Sequence, residues 1–170
     1  MAGEMTPLRK LVLTALLASL GVVLSGFSIP LGPTRCFPVQ HALNVVAGVL
    51  LGPWWAAGAA FTTSTLRVAM GTGTLFAFPG SIPGALAVGF AAMLLRRRPL
   101  LAAVAEPLGT SAAGTALSAF IIAPAIHSGA TFAMLFPPFF ASSVSGALLG
   151  GIVLAALARV HRQAAGAACR

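Results

Sequence analysis

The sequence predicts an all-α membrane protein, a single domain of six transmembrane helices with both termini on the cytoplasmic side. Three observations carry that expectation. Only 7% of the 170 residues are charged, against roughly 25% in an ordinary soluble domain, too few to cover a water-facing surface. The apolar residues run in long blocks such as 11–24 and 141–158, without the alternation that marks a membrane barrel's strands. Helices are then the way to satisfy the backbone in hydrocarbon. Finally, the basic residues stand in three clusters, each beside an apolar block: Arg9/Lys10, Arg96–Arg98, and Arg159/Arg162/Arg170.

The first span covers about 8–25. Arg9/Lys10, an apolar run and Leu24-Ser25-Gly26 also resemble a cleaved leader. Because everything downstream is membrane-embedded as well, the block is read as a span. The second and third, about 39–51 and 54–70, are separated by the tight Gly52-Pro53 break, with Trp54 and Trp55 at the interface. The fourth is 82–95, the fifth 100–122 and the sixth 136–158. Several fall short of the ~20 residues that cross a bilayer core, so the second and fourth are expected to borrow from the loops before them. With six spans, all three basic clusters fall on the cytoplasmic side, as the positive-inside rule asks. Five or seven spans would not achieve this. Three loops remain outside, about 26–38, 71–80 and 123–137, and the outer face is where a site is expected.

The net charge of +8 does not point to nucleic acid, because the basic residues are not gathered on one face. Cys36 and Cys169 fall on opposite sides of this topology and are not expected to pair. No Gly-x-x-x-x-Gly-Lys-Ser/Thr loop exists for ATP. No Cys/His spacing makes a metal site, no cofactor is expected, and no catalytic triad or carboxylate pair suggests an enzyme. Two carboxylates in the whole chain argue against a strongly cationic substrate, whose charge would want a buried counter-ion.

Four groups of residues are candidates. Gln40, His41 and Asn44 share one helical face at three- and four-residue spacing, within roughly 10 Å of the outer surface. They offer donors and acceptors without fixed charge, either to a ligand or to neighbouring helices. Arg67 lies toward the outer end of the third span, where an unpaired arginine costs several kcal/mol. It either serves a ligand or caps loop carbonyls. After it comes the run Gly71-Thr72-Gly73-Thr74-Leu75-Phe76-Ala77-Phe78, whose phenylalanines can offer ring faces to a flat ligand or pack into lipid. Glu106, about 12 Å into the membrane from Arg98, could pair with Arg67, stay protonated or meet a ligand. Pro107 beside it is expected to break the helix locally. His127 and His161 are read as solvated. Small residues at four-residue spacing, Ala15 and Ser19 in the first span and Ser142, Gly146 and Gly150 in the sixth, suit close helix packing or docking of another subunit.

Cys36-Phe-Pro-Val-Gln-His41, continued by Asn44-Val-Val-Ala-Gly-Val-Leu-Leu-Gly-Pro-Trp54, closely resembles the ThiW family, as do Arg67 with Gly71-Thr-Gly-Thr74 and Phe78-Pro-Gly-Ser81. The likeness runs through nearly the whole chain and is most specific in its middle third. The resemblance implies the six-helix fold of a substrate-binding S component of an energy-coupling factor (ECF) vitamin importer, in a prokaryotic cell membrane. It also implies a pocket open to the outside and capped by the loop after the first helix, uptake of the thiamine precursor hydroxyethylthiazole, and partners comprising a transmembrane coupling subunit and two ATPase subunits. Ala15 and Ser19 would then dock the coupling subunit. Phe37, Gln40, His41, Asn44, Arg67, Thr72, Thr74, Phe76, Phe78 and Glu106 are the expected substrate-binding residues. Phe37, Phe76 and Phe78 suit the walls for a flat, uncharged ring; His41, Asn44 and Gln40 suit its nitrogen and hydroxyl. Alternatives are an S component for another thiamine-related or heteroaromatic precursor, a small membrane enzyme using Glu106 or His41 as acid/base, and a structural partner subunit that binds nothing small.

Overall fold

The computed structural model describes residues 5–31, 34–96 and 98–168. Cys169, Arg170, Arg97 and Glu4 lie outside the described residues, and with them the expectation about cysteine placement and part of two basic clusters. Six helices are present among the described residues: α1 (Pro7–Val23), α2 (Pro38–Leu51), α3 (Pro53–Ala69), α4 (Ile82–Leu94), α5 (a helical run over 99–125) and α6 (Phe132–Ala168). Proline marks five of the six helix starts, at Pro7, Pro38, Pro53, Pro83 and Pro99. Its fixed φ suits a first turn whose N–H groups have no helical partner. At α1, Thr6 Oγ1 adds a cap by accepting from the Arg9 N–H at 3.4 Å.

Four stretches are long and apolar enough to cross a bilayer: Pro7–Gly26, Leu75–Leu94, Leu100–Ala125 and Phe132–Ala164. The fourth expected span does draw on the loop before it, through a short 3-10 turn at Leu75–Ala77. The second does not. Residues ahead of α2 instead form an antiparallel hairpin, β1 (Ile29–Leu31) with β2 (Thr34–Cys36), pairing Ile29 with Cys36. Proline at 30 and 38 biases the residue before each, Ile29 and Phe37, toward extended rather than helical backbone. α2 therefore has 14 residues, about 21 Å of helix against a core of ~30 Å.

Two further boundaries shift. The loop expected at 123–137 contracts to 126–131, because α5 runs on to Ala125 and α6 begins at Phe132 with Pro137 and Pro138 inside it. Helix α5 is also not broken at Pro107. It changes register instead, from 3-10 turns at Pro99–Val104 to π-helical turns at Leu108–Gly114 and Ser118–Ile122. The missing proline N–H is absorbed by the wider turn rather than by an interruption.

Helix α2 is the centre of the bundle, packed against α6, α4 and α3. Val45, Val46 and Val88 join Ala102, Ala103 and Leu154 in one core cluster; Ala47, Leu51, Ala56, Ala60 and Ala85 form another. The small residues of α6 act inside the bundle: a Cβ on Gly150 would press into Val45 at 2.7 Å, and one on Gly146 would overlap His41 and Pro38. Helix α1 behaves differently, burying only Ala18 and Gly21. Its Leu11, Val12, Leu16, Leu20 and Val23 are exposed, an apolar face far beyond what water tolerates.

Candidate functional site

Glycine and short α2 together bring distant polar groups to one depth. Glu106 lies eight residues past Arg98, roughly 15 Å along α5 given its 3-10 start. The second turn of α2 meets it there. His41 Nδ1 lies 2.6 Å from Glu106 Oε1, Thr110 Oγ1 donates to the same oxygen at 2.9 Å, and Asn44 Nδ2 reaches it at 3.4 Å. Glu106 Oε1 thus gathers a hydroxyl, an amide and the imidazole at one point. Glu106 is wholly buried, as is Thr110. Gly84 makes room for both, since a Cβ there would overlap the carboxylate and the hydroxyl. Asn44 also donates to the Ser81 carbonyl and hydroxyl, each at 3.1 Å, tying α2 to the start of α4. Arg67 and Glu106 therefore have different partners.

Arg67 is 1% exposed. Its Nη1 donates to Gln40 Oε1, and its guanidinium lies 3.7 Å from the centroid of the Phe37 ring, a cation–π contact. The backbone at the same residue closes α3: its carbonyl accepts from Thr72 and Gly73 N–H at 2.9 and 3.0 Å and from Thr72 Oγ1 at 3.2 Å. The next turn passes through Gly71 at φ +71°, which glycine adopts without strain. Ser64 Oγ, one turn earlier in α3, donates to the Ala77 carbonyl at 3.1 Å and pins the loop that follows.

Between the hairpin, α2, α3, this loop and α6 lies a cavity of about 40 Å³, room for roughly three waters. Of the residues expected from sequence, Phe37, Gln40, His41, Arg67, Thr74 and Phe76 line it. Glu106 stands behind His41, one hydrogen bond removed, and Asn44 bonds in turn to Glu106. Thr72 is exposed and caps α3. Phe78 points elsewhere, its ring 5.6 Å from that of Phe61 and bordering a separate apolar groove with Leu117 and Ile121.

Phe139 and Ser142 of α6 and Arg35 of β2 also line the cavity. Ser142 Oγ accepts from the Phe37 N–H at 2.6 Å, and Cys36 Sγ donates to the Pro138 carbonyl at 3.4 Å, so α6 clamps the hairpin's end. Burial pushes the Cys36 thiol above its ordinary range. Among these residues Ser142 carried a sequence signal, its place in the small-residue stripe. Phe139 carried none, because 136–158 reads equally well with any face inward. The arrangement as a whole offers aromatic walls, one fixed cation and several neutral hydrogen-bonding groups, with a carboxylate buried behind the histidine.

A family model for ThiW, the thiamine-precursor transporter protein, matches residues 11–160. The chain belongs to that family. No curated protein and no solved structure matches it.

Proposed function

We propose that this ThiW-family chain is the substrate-binding S component of an ECF importer and that it captures hydroxyethylthiazole in the cavity beside Arg67. One observation carries this reading: a small cavity walled by Phe37, Phe76 and Phe139 and furnished with polar groups by Gln40, His41 and Arg67. Hydroxyethylthiazole is a flat ring with a nitrogen acceptor and one hydroxyl, so stacking surfaces and two or three placed polar groups suffice to hold it. With Nδ1 of His41 engaged by Glu106, Nε2 is the ring nitrogen left for a ligand. The same pair would suit an acid/base enzyme. Turnover by the chain alone would favour that second reading.

The cavity holds only about three waters, so in this reading the 71–80 loop moves aside to admit a ring and closes again. In this reading all six helices span the membrane with both termini cytoplasmic. The chain has no phosphate-binding loop of its own, so a coupling subunit and two ATPase subunits supply the energy.

The test is calorimetric titration of the purified full-length chain with hydroxyethylthiazole, thiamine and other heteroaromatic precursors. Saturable binding of hydroxyethylthiazole is expected, weakened about tenfold or more by His41→Ala, the loss of one good hydrogen bond. A folded chain that ignores hydroxyethylthiazole but binds another precursor would reassign the substrate, and one that binds none would end the reading.

A further inference from the structure

The guanidinium of Arg67 is incompletely used. Nη1 is taken by Gln40, but Nε and Nη2 have no hydrogen-bond partner among the described residues and neither touches solvent. Those two atoms form one edge of the planar fork, the edge that holds two oxygens of a carboxylate or phosphate side by side. Phe37 behind the ring plane and Gln40 on the opposite edge fix its orientation. Among the described residues no carboxylate lines the cavity and none forms a salt bridge with Arg67. Glu106 meets His41, Thr110 and Asn44 through Oε1, while its buried Oε2 has no partner among the described residues. A second cation, Arg35, lines the same cavity from an exposed position. A buried cation with two vacant donors is costly, and a ligand oxyanion removes that cost whereas a lone hydroxyl or ring nitrogen fills one donor at most.

We propose that the cavity prefers a heteroaromatic ligand bearing an oxyanion, a phosphate monoester or a carboxylate, held by Nε and Nη2 of Arg67. The inference rests on the cavity being the ligand site, and extends that reading from a neutral ring to its anionic derivatives. Arg35 draws the anion to the mouth; Arg67 sets specificity within.

The experiment titrates the full-length chain with hydroxyethylthiazole, its phosphate monoester and a thiazole carboxylate, on wild type, Arg67→Gln, Arg67→Lys and Arg35→Gln. At least one anion is expected to bind about tenfold or more tightly than the neutral alcohol, the least a charge-assisted pair should give. Arg67→Gln should erase that advantage, weakening the favoured anion about tenfold or more beyond what it weakens the neutral alcohol, and Arg67→Lys should restore part of it, charge without the fork. The two anions, compared with each other, tell which oxyanion the fork accepts. Binding of the alcohol with no anion preference would overturn this inference and leave the proposed function standing. An anion advantage that survives Arg67→Gln but vanishes in Arg35→Gln would overturn the role of Arg67. Failure of all three ligands on a chain with a cooperative melting transition would overturn both. Should Arg67→Gln not fold, the wild-type preference and Arg67→Lys decide.

Discussion

At the scale of single residues, the site depends on a carboxylate kept out of water by three donors. Removing His41 leaves Glu106 with Thr110 and Asn44 alone, and breaking a buried pair from one side costs about 3–5 kcal/mol. His41→Ala should therefore lower the melting temperature in detergent clearly. Glu106→Gln, which keeps an acceptor oxygen, should lower it less. The double variant should lose less than the sum of the two, because the second change removes an already orphaned group; strict additivity would mean the pair is not coupled. Cys36 offers a second readout beside the cavity. Burial pushes its thiol up, and thiolate is the reacting form. In a Cys169→Ser background, maleimide should label Cys36 far more slowly at neutral pH than a free thiol, and faster as pH rises; fast labelling at neutral pH would contradict the buried hairpin end. What the sequence revealed here follows from spacing: Gln40, His41 and Asn44 share a face because helices repeat. The partner of Glu106 was hidden, since it depends on how deep α2 begins.

At the scale of elements, that depth is set by the hairpin. Read from sequence, His41 lies near the outer surface and Glu106 near the cytoplasmic one, yet they touch. The conflict resolves because Ile29–Leu31 pairs with Thr34–Cys36 instead of lengthening α2, so α2 begins at Pro38 and its first two turns meet α5 at Glu106. Strand pairing over three residues has no periodicity long enough to read. Five helix starts were legible to within about a residue from the ends of the apolar blocks; the sixth, expected at 136, lies at Phe132. The π-helical register of α5 was not, since no residue type encodes it. Close approach of α6 to α2 makes a sharper test. Gly146→Ala places a methyl inside His41 and Pro38, an overpacking of about 1–3 kcal/mol, and should weaken ligand binding as His41 is displaced. Gly151→Ala, which meets nothing within 4 Å, should be neutral or stabilise by about 0.5–1 kcal/mol through helix propensity alone. Equal melting temperatures for the two variants would mean that α6 does not seat on α2 as described.

At the scale of the whole molecule, the helices divide into those that line the cavity and those that do not, and among the latter α1 stands apart. α2, α3 and α6 surround the site, while α1 packs on α3 and α2 and leaves most of its surface outside. Ala15 and Ser19 lie on that outer surface, both exposed, and Ser19 Oγ is turned back to the Ala15 carbonyl at 2.9 Å. The strip is thus small and internally satisfied, so another helix can approach it closely without stranding a polar group. Small residues in α6 serve packing inside the bundle, as do Ala18 and Gly21 of α1, whereas Ala15 and Ser19 are left exposed. In the proposed importer this strip meets the coupling subunit. Ala15→Trp and Ser19→Trp should leave hydroxyethylthiazole binding by the isolated chain unchanged, because neither residue lines the cavity. In cells supplied with the coupling and ATPase subunits, the same variants should abolish uptake and copurification. Uptake that persists in the double variant would place the docking face elsewhere on the bundle. Binding that falls along with uptake would mean that α1 supports the cavity rather than the assembly.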